Sequence, residues 1–297
     1  MHTDPGRAPS PGRRLREAWA AGPVQVPGVF NALVARLAER LGFRAVYLSG
    51  AALSASAALP DVGLLTQTEF AEAARAVASA TNLPLLCDAD TGFGEALNAE
   101  RTVRLFEGAG AAGLHLEDQR LPKRCGHLSG KQLVGPEVMA AKVRAAVAAR
   151  RDPDFVIMAR TDARGVEGLD AAVRRARLYV QAGADALFPE ALEGAEEFAA
   201  FARAVRDLGP VPLLANMTEF GRSPLLDFQE LAALGYRLVL YPVTTLRAAL
   251  RAVEETLADL RARGHQRDSV GRMLTRKELY ELLNYADYEA RDRAYFG

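Results

Sequence analysis

Short apolar runs alternate with longer amphipathic segments along nearly the whole chain, beginning near Val24. Continuous apolar runs are typical of strands that are buried on both faces of a parallel sheet. They predict strands at Ala45–Ser49, Leu83–Asp88, Gly113–Glu117, Phe155–Arg160, Ala186–Phe188, Val211–Ala215 and Leu238–Tyr241. A weaker run predicts a first strand at Val24–Pro27.

The segments between these runs carry apolar residues at helical spacing, such as Phe30, Leu33, Val34 and Leu37 on one face. Several predicted helices end at a glycine, the residue that best adopts the left-handed conformation after a last helical turn. Eight strands that alternate with helices, without a break in composition, predict an α/β fold, a (β/α)8 TIM barrel. A doubly wound sheet is the alternative, but no G-x-G-x-x-G motif follows the first strand.

The two ends of the chain extend beyond this repeat. We expect residues 1–22 to form an N-terminal tail and a short helix, and residues 23–297 to form a single barrel domain with a C-terminal helical extension. Met1–Arg14 is rich in proline and arginine but lacks the apolar core of a secretory signal, which favours a disordered tail over a transit peptide. Val243–Arg263 and Thr275–Arg293 each predict one helix, and the second is a candidate for subunit contacts or for an edge of the site.

Composition excludes several classes of protein. The 37 basic and 37 acidic residues balance, which excludes a nucleic-acid binder that relies on a basic surplus. A chain that is 49% hydrophobic is not disordered, and no apolar run approaches the roughly 20 residues that span a bilayer. Two cysteines, Cys87 and Cys125, cannot form a disulfide framework and indicate a reducing compartment, so we expect a cytoplasmic protein.

Acidic side chains follow two consecutive predicted strands. In a barrel, the reactive groups gather at the carboxyl ends of the strands. Asp88 and Asp90, spaced i and i+2 at such an end, can face one hard cation, and Mg²⁺ favours one or two protein carboxylates with waters. Alternatively, Asp90 merely caps the turn that follows. Glu117 and Asp118 close the next strand and are expected to add acids around the same cation.

A glycine-containing loop follows, with Cys125 between Lys123, Arg124 and His127. Basic neighbours are expected to lower the pKa of the Cys125 thiol and to expose it, making it a candidate nucleophile or proton donor. The alternative is a charged loop without a catalytic role. His115 alternates with leucines on a strand, which favours a hydrogen-bonded core histidine. The arginines that suit a substrate with several carboxylates are Arg160, Arg247 and Arg276.

Taken together, these segments resemble the isocitrate lyase/phosphoenolpyruvate mutase superfamily, and within it the enzymes that cleave 2-methylisocitrate. The matching motifs occur in family order from about Val24 to Tyr288: Tyr47–Ala51 (YLSGA), Asp88–Gly94 (DADTGFG), Gly113–Gln119 (GLHLEDQ), Lys123–His127 (KRCGH), Phe188–Glu190 (FPE), Asn216–Thr218 (NMT) and Thr275–Tyr280 (TRKELY). The KRCGH loop is typical of the lyases in this superfamily, since decarboxylase and hydrolase members generally lack its cysteine.

The resemblance implies a role for individual residues. Asp88 and Asp90 would hold Mg²⁺, with Glu117 nearby through water, and Cys125 and Tyr47 would be catalytic. The implied substrate-binding residues are Ser49, Gly50, Ala51, Cys125, Gly126, Arg160, Glu190, Asn216, Met217, Thr218, Arg247 and Arg276. The family often has a second glycine at the position of Ala51.

The implied reaction is a retro-aldol cleavage of a tricarboxylate, 2-methylisocitrate, to pyruvate and succinate, as in the methylcitrate cycle of propionate catabolism. Cys125 would protonate the succinate carbon, Tyr47 or a metal-polarised water would remove the hydroxyl proton, and Phe188 would touch the methyl group. The alternatives are an isocitrate lyase-like enzyme, a carboxyphosphonoenolpyruvate mutase, or a barrel that only binds. The resemblance also implies a homotetramer whose C-terminal helices are exchanged between subunits, with no nucleic-acid or membrane partner.

Overall fold

The computed structural model describes residues 8–296. Within that range the chain divides into two compact units, the first ending at Thr245 and the second beginning at Leu246. No helix in residues 8–296 combines the length and the apolar character that a membrane span requires.

Eight parallel strands form the centre of the first unit. They are β1 (Val24–Pro27), β2 (Val46–Leu48), β3 (Leu85–Asp88), β4 (Gly113–Glu117), β5 (Val156–Thr161), β6 (Ala186–Pro189), β7 (Leu214–Asn216) and β8 (Leu238–Tyr241). Strands β2 to β6 pair in chain order, and β1 pairs with β8, which pairs with β7. Parallel bridges from Gly28 to Tyr47 and from Leu187 to Leu213 join the two sheets at both edges and close the barrel. The (β/α)8 prediction is confirmed.

Helices follow the strands on the outside of the barrel. Those of the first unit are α2 (Ala32–Arg40), α3 (Gly50–Ser56), α4 (Gln67–Ala78), α5 (Ala96–Gly108), α6 (Pro136–Ala149), α7 (Arg164–Glu167), α8 (Leu169–Gln181), α9 (Ala195–Ala204) and α10 (Phe228–Ala233). The glycines predicted to end helices have positive φ angles: Gly42, Gly110, Gly183, Gly209 and Gly235. A side chain is disfavoured in that conformation, so each of these glycines lets the chain turn sharply from a helix towards the next strand.

The strands bury both of their faces, as their continuous apolar runs predict. Along β3, Leu86 packs inside the barrel, whereas Leu85 and Cys87 pack in the outer hydrophobic layer with the surrounding helices. The interior is filled by large side chains such as Tyr47 and Phe188. Because side chains alternate along a strand, a run without polar residues is required wherever both faces are covered.

A short helix, α1 (Pro11–Ala20), precedes the barrel and packs Leu15 and Trp19 against the inner hydrophobic cluster. It begins where Ser10 Oγ accepts a hydrogen bond from the Arg13 backbone, with proline at the first helical position. The disordered tail expected for Met1–Arg14 is therefore wrong at Pro11–Arg14, which are helical. The rest of that expectation falls largely on residues 1–7, which lie outside the described residues.

The C-terminal extension is divided more finely than the apolar pattern predicts. Helix α11 (Thr244–Arg263) agrees with the prediction, and Arg267–Arg272 forms a 3-10 turn. The single helix predicted at Thr275–Arg293 is wrong, because the structure has α12 (Arg276–Leu282) and α13 (Tyr285–Phe296). Asn284 has φ of 58°, a left-handed conformation that ends one helix before the next begins.

Candidate functional site

A polar cavity of about 50 Å³ lies at the carboxyl ends of the barrel strands. Its lining includes ten of the predicted site residues: Tyr47, Ser49, Ala51, Asp88, Cys125, Gly126, Arg160, Glu190, Asn216 and Thr218. One water molecule needs at least about 10–15 Å³ of such volume, so the cavity has room for a few waters. The loop that carries Cys125 lies over the strand ends and contributes residues 123–127 to the lining.

Asp88, the last residue of β3, is held by two backbone groups. Its Oδ2 accepts a hydrogen bond from Gly50 N at 3.0 Å, and its Oδ1 accepts one from Asp90 N at 3.0 Å. A Cβ on Gly50 would lie 2.9 Å from Asp88 Oδ2, so glycine permits this close approach. Burial alone would raise the pKa of Asp88, but neighbouring His115 and the cations Lys123 and Arg160 lower it to about 2. Asp88 is therefore ionised and fixed in direction.

Asp90 and Lys123 form a buried ion pair beside Asp88. The Lys123 Nζ lies 2.7 Å from Asp90 Oδ1 and also contacts the carboxylate of Asp61. Asp90 has a φ of 44°, so its backbone turns sharply at the end of the strand. Burial raises the pKa of Asp90 to about 6 even though Lys123 opposes that shift. One ammonium thus pairs with two carboxylates. The side of the cavity formed by Asp61, Asp88, Asp90 and Glu117, called the acidic side below, therefore has more negative than positive charge.

Glu117 and Arg160 connect the acidic side to the rest of the cavity. Glu117 Oε2 lies 3.3 Å from Arg160 Nε, and its buried Oε1 has no hydrogen-bond partner among the described residues. Burial raises the pKa of Glu117 well above its usual range. An unpaired oxygen of this kind is expensive to bury, and a site with one is suited to a ligand that supplies a cation or a donor.

Arg160 is fixed on its other side by three carboxylate contacts. Its Nε and Nη2 donate to Asp162 at 2.9 and 3.2 Å, and Nη2 lies 3.1 Å from Glu190 Oε2. Burial opposes ionisation of Glu190, yet Arg160 and His127 hold the pKa of that carboxyl far below its usual range. Asn216 Nδ2 donates to both Glu190 oxygens at 3.3 Å. This half of the cavity is a network of paired charges.

Cys125 and Gly126 lie directly over that network. A Cβ on Gly126 would meet Glu190 Cγ at 2.4 Å and Arg160 Nη2 at 2.5 Å, so only glycine permits the loop to pack this closely. Burial raises the pKa of the Cys125 thiol, and a hydrogen bond from the His127 backbone offsets only part of that effect. The expected lowering by basic neighbours is therefore wrong, because the loop folds onto the barrel and shields the partly buried thiol from water.

Tyr47 and Phe188 line the cavity, and the His115 ring packs against both of them outside the lining. Tyr47 Oη lies 2.7 Å from His115 Nε2, and the His115 ring packs edge-on to Phe188 at 5.2 Å between centroids. Burial lowers the pKa of His115 to about 4, so the ring is neutral, hydrogen-bonded and in the core, as expected from its strand position. Burial raises the pKa of Tyr47 well above its usual value, which disfavours a phenolate.

The donor set on the acidic side fits a hard divalent cation. No cluster of three or more His, Cys, Asp or Glu side chains within residues 8–296 converges as a complete metal cage. Mg²⁺ does not require one, because it usually binds one or two carboxylates and keeps several waters. Asp88 and Asp90 would supply the carboxylates, and the unpartnered Glu117 Oε1 is suited to a bound water.

Three residues that the sequence predicts for the site do not line the cavity. Asp118 faces away from the acidic side, where its Oδ2 accepts from Thr161 Oγ1 at 2.7 Å and from Tyr179 Oη at 2.8 Å. It follows Glu117, and consecutive side chains at a strand end point in opposite directions. Met217 is directed for the same reason into the outer hydrophobic layer. The backbone amide of Gly50 is occupied by Asp88, so Gly50 acts on the site through that carboxylate.

Two predicted arginines belong to the second unit. Arg247 lies in α11, and Arg276 is the first residue of α12. Their contribution to the cavity stays a prediction.

The structure adds residues that the motifs did not single out as functional. Asp61 contacts Lys123, Asp162 holds Arg160, and Lys131 donates to Asp162 Oδ1 at 2.8 Å. The sequence indicates Lys123 only as a neighbour of Cys125. Asp162 follows Arg160 at the end of its strand, among the polar strand ends where the sequence predicts the reactive groups. Asp61 lies on a long loop without a motif, so its pairing depends on the fold.

Comparisons with known proteins agree with this geometry. Residues 15–261 match the family model described as phosphoenolpyruvate phosphomutase. The chain is 53% identical to a 2-methylisocitrate lyase of Aeropyrum pernix, over 95% of this chain and 90% of that protein. It is 49% identical to a 2-methylisocitrate lyase of Bacillus subtilis, over 94% of this chain and 91% of that protein.

A solved structure extends the similarity to the fold. The chain superposes on a phosphonopyruvate hydrolase, determined in complex with oxalate and Mg²⁺, with a TM-score of 0.88 and 36% identity, covering 97% of this chain and 100% of that one. The family model covers most of the chain, and the curated relatives align with nearly all of it. This chain therefore belongs to the phosphoenolpyruvate phosphomutase family, within the superfamily that it shares with the isocitrate lyases.

Proposed function

We propose that the protein is a Mg²⁺-dependent 2-methylisocitrate lyase, which cleaves its substrate to pyruvate and succinate by a retro-aldol reaction. The observation that carries the proposal is the loop that brings Cys125 into the cavity and packs Gly126 against the Arg160–Glu190 pair, with a partly buried thiol whose pKa is raised by burial. Similarity to several proteins named 2-methylisocitrate lyase, at about half identity over nearly the full chain, supports the same activity.

Asp88 and Asp90 would hold the Mg²⁺ ion, with Glu117 orienting its waters. When bound, the ion would supply Lewis-acid polarisation of a substrate hydroxyl and carboxylate, which lowers the pKa of that hydroxyl. The backbone amides of Gly50 and Asp90 fix the Asp88 carboxylate before any ligand arrives. Preorganisation of this kind avoids reorganisation during the reaction, which is where electrostatic catalysis gains most.

The reaction then needs charge stabilisation and a proton donor. The hydroxyl proton would pass to a water in the cavity, and the oxygen then forms a carbonyl as the adjacent carbon–carbon bond breaks. The released electron pair moves into a carboxylate of the departing succinate fragment, and Arg160 provides the positive charge to stabilise it. Cys125 Sγ–H finally donates its proton to the succinate carbon. A thiol whose pKa is raised by burial is protonated at the moment when that donation is required.

Tyr47 is assigned a hydrogen-bonding role rather than removal of the hydroxyl proton. Its phenol lines the cavity, and its raised pKa keeps it neutral. A neutral phenol beside the neutral His115 can orient a substrate oxygen without carrying charge.

Substrate binding would use several polar groups around the cavity. Ser49 and Ala51 line one side, and Asn216 and Thr218 line the opposite side, while Phe188 lies beneath Arg160 with its ring 5.0 Å from the guanidinium carbon. We propose that Phe188 contacts the methyl group of the substrate. One methyl group is worth only about 1–3 kcal/mol of discrimination, so some cleavage of isocitrate is expected.

Exposed apolar residues support a homotetrameric assembly. Leu250, Val253, Leu257 and Leu260 recur along α11 at helical spacing and are between 38% and 61% exposed in the single chain. A stripe of this kind is typical of a helix that another chain covers. Sedimentation velocity on the parent and on Leu257→Glu tests this, because a tetramer in both proteins would exclude the stripe as the contact. We also propose that the protein is cytoplasmic, as its two free cysteines indicate.

The activity is tested by coupled detection of pyruvate from 2-methylisocitrate and of glyoxylate from isocitrate, each with Mg²⁺ and with excess EDTA. We expect rapid, EDTA-sensitive pyruvate release and much slower glyoxylate release. Absence of both products with Mg²⁺ present would refute the lyase proposal.

A second candidate is a phosphonomutase, since the matching family model is described as phosphoenolpyruvate phosphomutase. Phosphorus NMR with phosphoenolpyruvate or carboxyphosphonoenolpyruvate as substrate separates the two functions. A product with a carbon–phosphorus bond would favour the mutase, and an unchanged spectrum together with pyruvate release from 2-methylisocitrate favours the lyase.

A further inference from the structure

Lys131 is a buried lysine at the end of the loop that carries Cys125. Its side chain is 3% exposed, and its ammonium contacts both the backbone carbonyl of Gly126 and, at 2.8 Å, Asp162 Oδ1. Those two acceptors lie on different parts of the molecule, one on the loop and one just after β5. A buried ammonium is costly unless it is paired, so its position between two acceptors is a specific feature of the fold.

Asp162 is shared between Lys131 and Arg160. The same carboxylate accepts two hydrogen bonds from Arg160, at 2.9 and 3.2 Å, while its backbone amide donates to Asp118 at 2.9 Å. Asp118 in turn is held by Tyr179 and Thr161 from behind the barrel wall. Asp162 is thus a rigid point to which both the loop and the cavity's arginine are attached.

The Cys125 loop, residues 120–132, has a base fixed by backbone hydrogen bonds and a tip whose position depends on side-chain contacts. At the base, Gln119 forms a bridge with Leu133, and Arg120 N donates to Gln132 O at 2.7 Å. At the tip, Gly126 packs against Arg160 and Glu190 with no space for a side chain. The Lys131 ammonium ties the Gly126 carbonyl to Asp162, the same carboxylate that holds Arg160, and so adds a side-chain contact that keeps the tip on the barrel.

We propose that Lys131 is a positioning residue that latches the Cys125 loop onto the barrel and sets the thiol against the Arg160–Glu190 pair. The catalytic part of this inference rests on the proposed lyase function. The structural part, the position of the loop, does not.

Alkylation of Cys125 by iodoacetamide, followed by mass spectrometry, reports the loop position without any substrate. Lys131→Met keeps the length of the side chain but removes the charge. We expect Cys125 in this variant to react at least about fivefold faster than in the parent, because access follows the free energy of local opening. Cys87 is fully buried in the core and should stay unreactive in every folded variant, which provides an internal control.

Lys142→Met is the matched control variant. Lys142 is also buried, and its Nζ donates to the backbone carbonyl of Thr91 at 3.1 Å, away from the Cys125 loop. Its removal should leave the alkylation rate of Cys125 within about twofold of the parent, because it does not alter local opening of the loop. An unchanged rate in Lys131→Met would overturn the latch. Equal acceleration in both variants would also overturn it, since that result indicates general loosening.

Alkylation of Cys87 would reveal a Lys131→Met variant that does not fold. A second variant keeps the proposal testable in that case. Lys131→Gln retains a shorter, uncharged donor that cannot reach both acceptors. The same faster alkylation of Cys125 is expected, and a rate equal to that of the parent would overturn the proposal.

Kinetics separate a positioning role from a merely structural one. In Lys131→Met we expect kcat for 2-methylisocitrate to fall about 10- to 100-fold while KM changes much less, because misplacing a reacting group by about 1 Å costs that much. If the parent protein does not cleave 2-methylisocitrate, the lyase proposal is refuted, and the alkylation rates alone test whether Lys131 holds the loop. Faster alkylation with an unchanged kcat would overturn the positioning role.

Discussion

The two sides of the cavity differ in how their charges are balanced. On the acidic side, a single ammonium from Lys123 contacts both Asp61 and Asp90, and the pKa values of Asp90 and Glu117 are raised by burial. On the opposite side, Arg160 and its neighbours pair fully with Glu190 and Asp162, and the pKa values of both carboxyls are lowered.

The difference indicates which kind of group each side of the cavity is suited to bind. Buried carboxylates that lack positive charge form a site for a cation. A network that is already neutralised and rigid is suited to hold the Cys125 loop and to stabilise charge that develops during a reaction. The largest effects of mutation should therefore come from residues that serve one side alone.

Asp88→Asn tests the acidic side and should have the largest effect. It removes the carboxylate that two backbone amides orient, so we expect Mg²⁺ affinity to fall and kcat to drop by about 10³-fold, at the upper end of losses for a preorganised electrostatic group. Isothermal titration calorimetry with Mg²⁺ and steady-state pyruvate release measure both quantities. Asp207→Asn, a surface carboxylate paired with Arg177, is the control and should change neither. Undiminished Mg²⁺ binding in Asp88→Asn would remove it from the metal site.

Cys125→Ser tests the opposite side. A serine hydroxyl is a far weaker acid, so turnover should fall by about 10²- to 10⁴-fold while substrate binding is largely kept. Equilibrium binding and single-turnover assays separate these two effects. Cys87→Ala removes the other thiol from the core and should retain turnover while lowering the free energy of unfolding by about 1 kcal/mol. Normal turnover in Cys125→Ser would exclude Cys125 as the proton donor.

Phe188→Leu tests the selectivity between 2-methylisocitrate and isocitrate rather than either side of the cavity. If the ring contacts the substrate methyl, the preference in kcat/KM for 2-methylisocitrate over isocitrate should fall about tenfold, or roughly 1.4 kcal/mol. Competition assays with both substrates in one mixture give the ratio directly. A ratio that stays the same while both rates fall would assign Phe188 to packing alone.

Tyr179→Phe tests the hydrogen bonds that hold Asp118, which in turn binds the backbone of Asp162 beside Arg160. This variant should have the smallest catalytic effect. It removes one donor from buried Asp118, so the free energy of unfolding should fall by about 2 kcal/mol. Tyr236→Phe is the matched control, because its hydroxyl donates to the neutral carbonyl of Phe198, and it should cost about 1 kcal/mol. Denaturant titration measures both, and equal costs would contradict a special role for the Asp118 network.

The barrel was largely predictable from the sequence, because its strands are buried on both faces. The predicted bounds of Val24–Pro27, Gly113–Glu117 and Leu238–Tyr241 agree with the structure residue for residue. The C-terminal extension was less predictable. Thr275–Arg293 has a helical pattern throughout, and the break at Asn284 depends on one residue in a left-handed conformation.

The site was predictable where a strand end fixes the direction of a side chain, as at Asp88 and Arg160. The pKa of Cys125 was not, since the sequence shows its charged neighbours but not that the loop folds onto the barrel and partly buries the thiol. Lys131 and Asp162 lie 31 residues apart, and their pairing depends on the tertiary fold. The direction of Asp118 could have been inferred from the alternation that places Glu117 in the site.

In the proposed reaction, the partly buried Cys125 thiol on one side of the cavity completes a cleavage begun on the other. Reaction of 2-methylisocitrate in D2O with Mg²⁺, with the succinate analysed for deuterium and its stereochemistry, reports this proton transfer itself. We expect succinate with a single deuterium in one configuration, formed by the parent and lost in Cys125→Ser. Racemic deuterium in the succinate, or no succinate at all, would refute Cys125 as the donor.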